Sequence, residues 1–289
     1  DPTRLVLMCL KNSTEPARLE ALRASFTAPE TLELRDVADA QITQSHEVKV
    51  RLRGAGVNPI DTKLRSRGLL VPEALPHILG CDGAGEVVEC GSAVRELKPG
   101  DTVWFCHGGL GREPGNYAQY KVLPAADARR APISLDVQHA AAGPLVLITA
   151  WEALFDRAGL QAGQTLLIHA GAGGVGHVAI QLARHAGARI ATTASGADKT
   201  AFVRALGAEQ VIDHRHTDFV AAVNDWTDGR GADVVLDCVG GEVLQRSPEA
   251  TAHYGALVTL LEPPADMNWK EARTRNLRFG FELMLTPML

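Results

Sequence analysis

TLLIHAGAGGVG, residues 165–176, runs an apolar strand into a glycine-rich turn and on into the helix-forming stretch VGHVAIQLARHAG (175–187). The turn carries Gly171-x-Gly173-x-x-Gly176. Alone that spacing is a weak signal, because glycine-rich turns are common. Between a good strand and a good helix it has a mechanism. The glycines permit a tight turn and let the backbone approach a pyrophosphate, whose charge sits at the helix N-terminus. Gly171, Ala172, Gly173, Gly174, Val175 and Gly176 are therefore candidate dinucleotide-binding residues.

The same texture continues outward from this turn. ARIATTA (188–194), QVID (210–213), DVVLDCV (233–239) and ALVTLL (256–261) read as further strands, and DKTAFVRALG (198–207) and TDFVAAVNDWT (217–227) as helices between them. Gly187 and Gly207 stand where C-terminal caps are wanted. Strands alternating with helices of about ten residues imply βαβ units and a parallel, doubly wound sheet over 135–264. Upstream, TLELRDV (31–37), HEVKVRLRGAGV (46–57), GEVVECG (85–91), DTVWFC (101–106) and NYAQYKVLP (116–124) are short β-type segments, with a KPGD turn at 98–101. That half reads as a β-rich, partly open barrel. The expected fold class is α/β, with domains at 1–134 (completed by 265–289) and 135–264.

At 289 residues the chain has ample length for a sizeable core. A net charge of -5 argues against nucleic acid or an anionic membrane as the main partner. Its five cysteines are scattered, odd in number and form no CxxC pair, which suits reduced thiols in a cytoplasmic enzyme. Ala140–Phe155, the longest apolar stretch, contains Gly143, Pro144 and Glu152 and so reads as a buried helix instead of a membrane span.

An NAD site of this kind usually places Asp or Glu about 20 residues after the glycine turn, at the end of the second strand, to hold the ribose 2′-hydroxyl. Here that strand runs into TTASGADK, with Ser195 at its tip and Lys199 following. A carboxylate about 4 Å from a 2′-phosphate costs on the order of 4 kcal/mol at an effective dielectric of about 20. A hydroxyl and an ammonium favour that phosphate instead. NADPH is therefore the expected cofactor, the alternative being that Ser195 caps the next helix and Lys199 is merely solvated. His214, ending the third strand in VIDHR, is a candidate to stack on the adenine or touch the phosphate, or a plain surface histidine.

Six blocks resemble, in order, the quinone oxidoreductase (zeta-crystallin-like) branch of the medium-chain dehydrogenase/reductase superfamily. They are GAGVNPIDTKLRSRG (54–68), ILGCDGAGEVVECG (78–91), LKPGDTVW (97–104), PLVLITAWEAL (144–154), AGAGGVGHVAIQLARHAGA (170–188) and GADVVLDCVGG (231–241). The resemblance implies a GroES-like catalytic domain beside a Rossmann domain that binds NADPH. It implies no metal: Asn58 stands where zinc-dependent relatives carry a cysteine, and Cys81-Asp82 replaces their His-Glu, whereas catalytic zinc needs three protein ligands. Cys81 and Asp82 then read as a buried thiol and a structural carboxylate.

Without a metal, the reaction implied is hydride delivery to an electron-poor carbon, as in quinones and α,β-unsaturated carbonyl compounds. Asn58, Asp61 and Lys63 form the candidate catalytic set. By resemblance Asn58 sits beside the nicotinamide and donates to the substrate oxygen, or it is a turn-forming Asn ahead of Pro59. Lys63 takes the place of a tyrosine in relatives, either substituting for it or standing solvated. By resemblance Thr149 contacts the nicotinamide ribose or a phosphate, and Cys238 and Val239 pass under the same ribose. Leu277–Leu285 resembles a strand that pairs sheets across a dimer, so a homodimer is expected. The family also continues through a further helix and strand, so a C-terminal portion is expected beyond Leu289, and residues 1–20 are expected to be an extension. Two other readings stay open: an enoyl-thioester reductase, and a non-catalytic NADPH-binding protein of crystallin or RNA-binding type.

Overall fold

The computed structural model describes residues 19–23, 32–67 and 77–288; most of the extension expected over 1–20 lies outside them. The chain divides into two compact units, one built from residues up to 145 together with those from 285 on, the other from Val146–Met284. That differs from the boundaries at 134/135 and 264/265 expected from the sequence.

The first unit holds an antiparallel five-stranded sheet in the order β6-β3-β4-β5-β7. Its strands are β3 (Glu47–Ala55), β4 (Asp82–Cys90), β5 (Thr102–Cys106), β6 (Tyr120–Pro124) and β7 (Arg129–Arg130). Alternation sets which side of each strand is buried: Val48, Val50 and Leu52 of β3 join Val87, Val103, Phe105 and Leu123 in one core. A separate antiparallel pair, β1 (Leu19–Arg23) with β2 (Glu33–Val37), precedes it. Helices α1 (Pro59–Arg67), α2 (Val137–Ala141) and the start of α3 (Pro144–Trp151) complete the unit.

One inward position of β6 is occupied by Lys121, 2% exposed. Its ammonium donates to the carbonyl of Pro114, and burial holds its pKa down, from an ordinary 10.5 to about 8. A lysine with a depressed folded pKa works against folding below that value. The penalty shrinks as pH rises from 8 towards 10.5, because across that window the unfolded chain binds the extra proton. The shift corresponds to about 3 kcal/mol at neutral pH, of which the lost bond to Pro114 offsets about 1 kcal/mol. K121M is therefore expected to be more stable than the parent at pH 7, with the advantage gone by pH 10.5. Urea unfolding at the two pH values checks this, and a variant less stable at pH 7 than at pH 10.5, relative to the parent, contradicts it.

The second unit is a six-stranded parallel sheet in the order β10-β9-β8-β11-β12-β13. In chain order its strands are β8 (Thr165–Ile168), β9 (Arg189–Ala194), β10 (Gln210–Asp213), β11 (Ala232–Asp237), β12 (Thr251–Thr259) and β13 (Arg278–Phe281). This is the doubly wound order, with the switch point beside β8. Period-two alternation divides the strands between two cores. Leu166, Ile168, Val234, Leu236 and Val258 face α4 (Gly174–His185). Leu167, Val235 and Leu257 face α6 (Phe219–Trp226) and α7 (Gly241–Ala250). α5 (Ala197–Leu206) links β9 to β10. The expected end of this unit at 264 falls short because β13 hydrogen-bonds to β12 as the sixth strand. Residues 265–284 thus extend the parallel sheet and do not return to the first unit.

Candidate dinucleotide and active sites

Because the sheet is parallel, the C-terminal ends of β8, β9, β10 and β11 share one edge. Every candidate of the second unit except Thr149 lies just past one of those ends. After β8 the chain turns through Ala170, a non-glycine residue at φ 57°. Its N–H donates to Thr193 Oγ1 at 2.9 Å, and that of Gly171 to the Thr193 carbonyl at 3.0 Å. β9 therefore pins the turn. A Cβ on Gly171 would lie 2.0 Å from Thr192 Oγ1, and one on Gly176 would lie 2.3 Å from the Ala170 carbonyl oxygen, so both are required by packing. Gly173 differs: a Cβ there meets only the Ala170 oxygen, at 3.1 Å. It is the N-cap of α4, with no side chain capping the first-turn N–H groups. Those donors have no partner within the helix and suit an anionic ligand.

Past β9, Ser195 and Lys199 are half-buried. Ser195 does not cap α5; the N-cap is Gly196, with no side-chain cap bond. Past β10, His214 is exposed. Sequence reasoning missed its neighbour Arg215, whose Nη2 lies 3.9 Å from where a Cβ on Gly196 would stand. Its side chain pairs with Asp213 at 3.4 and 3.5 Å and holds that carboxyl down at about 2. The signal was available, as a cation directly after the strand tip.

Past β11, Cys238 is half-buried and Val239 exposed, and burial raises the Cys238 thiol. Beneath them lies fully buried Asp237, also not singled out from the sequence. It accepts from the N–H groups of Val239 and Gly240 at 3.0 Å and from Thr259 Oγ1 at 2.8 Å. Removing it strands the buried N–H of Gly240 and the part-buried N–H of Val239, while Thr259 Oγ1 keeps the Leu261 carbonyl as an acceptor, so D237A is expected to destabilise the chain by about 2 kcal/mol or more. Urea unfolding measures this, and a loss under about 1 kcal/mol would show that water replaces the carboxylate. His169 directly follows β8 with its Nε2 3.2 Å from Ser247 Oγ, and burial depresses its pKa to about 4, keeping the ring neutral. Thr149 is buried on α3.

The first unit gathers a second cluster. The Asn58 N–H donates to Asp61 Oδ2 at 2.8 Å, the half of a capping box that the third helical residue supplies at the start of α1. The Asn58 side chain also makes a functional-group contact, Nδ2 donating to Asp82 Oδ2 at 2.9 Å. Asp61 is 3% exposed and also accepts from the Tyr117 hydroxyl at 3.1 Å; burial raises its pKa. Cys81 and Asp82 are fully buried. Burial lifts Asp82 to about 7 and raises the thiols of Cys81 and Cys106. Lys63 lies exposed on α1.

These donors do not suit zinc. The Asn58 amide is committed to Asp82, and among the described residues no three His, Cys, Asp or Glu side chains are grouped to hold a metal ion. No described helix is long and apolar enough to cross a membrane.

A two-unit chain with a doubly wound sheet and a glycine turn at its switch point has the architecture of a dinucleotide-dependent dehydrogenase or reductase. The model of the alcohol dehydrogenase GroES-like domain matches residues 44–133, and that of the zinc-binding dehydrogenase matches 174–273. The Pseudomonas aeruginosa quinone oxidoreductase is 38% identical over 236 residues, 82% of this chain and 71% of that protein. An alcohol dehydrogenase superfamily protein from Novosphingobium aromaticivorans superposes with TM-score 0.87 at 36% identity, over 94% of this chain and 81% of that one. Escherichia coli quinone oxidoreductase, solved in complex with NADPH, gives TM-score 0.79 at 30% identity, over 93% of this chain and 81% of that one. The chain belongs to the quinone oxidoreductase family of the medium-chain dehydrogenase/reductase superfamily, and it is an oxidoreductase.

Proposed function

We propose that this chain reduces quinones or α,β-unsaturated carbonyl compounds with NADPH, without a metal. The observation that carries the reading is the tip of β9, where Ser195 and Lys199 stand in place of the acid that would repel a 2′-phosphate. NADPH, when bound, supplies the hydride. The turn from Gly171 to Gly176 holds the pyrophosphate on the first-turn N–H groups of α4. Ser195 and Lys199 hold the 2′-phosphate, with His214 and Arg215 beside it. Thr149, Cys238 and Val239 border the nicotinamide ribose. Asp61 anchors Asn58 through the α1 cap.

A homodimer through β13 fits this reading: Phe281 is 55% exposed, and β13 is the last strand of the sheet among the described residues. A cytoplasmic location accords with the reduced thiols.

Stopped-flow oxidation of NADPH with naphthoquinones, enones and a crotonyl thioester tests the function. Turnover with quinones or enones is expected. Faster turnover with the thioester would move the assignment to an enoyl-thioester reductase. NADPH binding without turnover on any of the three would leave a binding protein only.

A further inference from the structure

Contacts outside the strand ladder also hold β13. The Glu282 N–H donates to the Thr259 carbonyl at 3.0 Å, which carries the pairing with β12 one residue past Phe281. Alternation then sets Arg278, Gly280 and Glu282 on one face. All three meet the π-helical turn Glu152–Arg157 and the residue after it. Arg278 Nη2 donates to the Ala158 carbonyl at 3.1 Å. Gly280 leaves room for Arg157, whose Cβ lies 3.9 Å from where a Cβ on Gly280 would stand. Arg157 Nε in turn lies 3.1 Å from Glu282 Oε2. The turn is wide, with the Ala158 N–H bonded five residues back to the Ala153 carbonyl at 3.1 Å. Glu152 as well as Arg157 reaches Glu282 from it.

The Glu282 side chain is 0% exposed, and neither of its oxygens accepts a well-aligned hydrogen bond from a donor of the described residues. Its polar contacts are the Arg157 guanidinium and the Glu152 carboxyl, to which it is hydrogen-bonded. An ionised carboxylate only accepts, so two carboxyl groups share a hydrogen bond only when one keeps its proton. The count of charges agrees. With both ionised, two negative groups would face one half-exposed guanidinium. Burial, and then the bond to Glu152, raise the Glu282 carboxyl to about 7. The remaining charged groups nearby are turned elsewhere or lie outside: Arg278 is bonded to the Ala158 carbonyl, and Asp156 is exposed. β12 offers no charged side chain over 255–259, and α4 presents Leu182 on this side.

We infer that Glu152 and Glu282 share one proton and, with Arg157, form a pH-sensitive latch that fastens β13 to the π-helical turn. With the proton in place, the O–H of one carboxyl donates to the other and Arg157 neutralises the single charge left. When the proton leaves to solvent, two adjacent carboxylates, one of them buried, share that guanidinium and repel each other. The two groups titrate as a pair, so the proton belongs to neither alone. The latch needs no part of the proposed cofactor chemistry. A glutamate of the unfolded chain loses its proton near 4.5, the latch near 7. The folded chain therefore holds an extra proton between those values. The latch is at full strength below about 4.5 and is lost as pH rises through about 7. Local opening of β13 should then increase on the order of 100-fold from pH 5 to pH 8.

Two substitutions remove the shared proton and keep the shape. In E282Q the new amide donates to Glu152 at every pH. In E152Q the new amide donates to Glu282, whose charge Arg157 then matches alone. Carboxyl 13C resonances of the intact chain, followed with pH, read the proton directly. One glutamate with a midpoint near 7 is expected in the parent, absent in E282Q and moved below about 5 in E152Q. Amide hydrogen exchange at residues 279–282, corrected for intrinsic rate and set against the Val258 amide of β12, reads the latch. Protection should fall on the order of 100-fold from pH 5 to pH 8 in the parent and by less than about threefold in either variant. A glutamate pair that titrates wholly below pH 5.5, or the same pH ratio of protection in parent and variants, overturns the inference. The second result would mean that Glu152 and Glu282 only pack. Should E282Q not fold, E152Q decides by the same two readings.

Discussion

G173A is expected to lower NADPH affinity by more than tenfold while moving the thermal midpoint by no more than about 2 °C. Gly173 is at φ -81°, which alanine adopts freely. Its new methyl group meets only the Ala170 oxygen, at 3.1 Å, a contact relieved by a shift of a few tenths of an ångström. The fold therefore has little need of glycine there, and the requirement comes from a ligand whose pyrophosphate approaches the turn. G176A is the contrast. Its methyl group would lie 2.3 Å from the backbone oxygen of Ala170, so stability and affinity should fall together. Thermal melts beside NADPH titration separate the two. Equal loss of stability in both variants would mean that Gly173 is a packing glycine like Gly176.

The second large effect is expected from K199E. Lys199 is half-buried at the start of α5, near the Ser195 tip. Reversing its charge replaces an attraction with a repulsion of similar size at about 4 Å. Even strongly screened, the change should raise the NADPH KM by on the order of 100-fold and leave the NADH KM within about threefold. Steady-state kinetics with both dinucleotides at low and high salt measure it, and the gap should narrow as salt rises. A parallel loss with NADH would place Lys199 near the part common to both cofactors, away from the 2′-phosphate.

Much of this site is local in sequence and therefore legible there. The strand, glycine turn and helix over 165–187 follow one another without interruption, and QVID matches β10 residue for residue. The tips carrying Ser195 and His214 follow directly from those strand ends. α7 escaped notice because it opens on Gly240–Gly241 and contains Pro248, both breaker signals; buried Leu244 and Ala250 hold it against the sheet regardless. β12 begins five residues before the apolar run at 256, since Thr251 and Ala252 pack inward while His253 and Tyr254 interrupt the pattern. The Asn58–Asp82 bond joins residues 24 apart, and the Tyr117–Asp61 bond residues 56 apart. No periodicity encodes such pairs; they exist because β4 and the loops around it bring them together. Asp237 was hidden differently, as an acid in an apolar strand whose partners are backbone N–H groups of the next turn.

The central claim is that the turn at Gly171–Gly176, together with Ser195 and Lys199, binds a dinucleotide through its extra phosphate. Calorimetric titration of the intact chain with NADPH and with NADH tests it most directly. The account predicts one NADPH bound per chain and NADH at least about tenfold weaker. Equal affinity for the two, or heat-silent titrations with both, would contradict it.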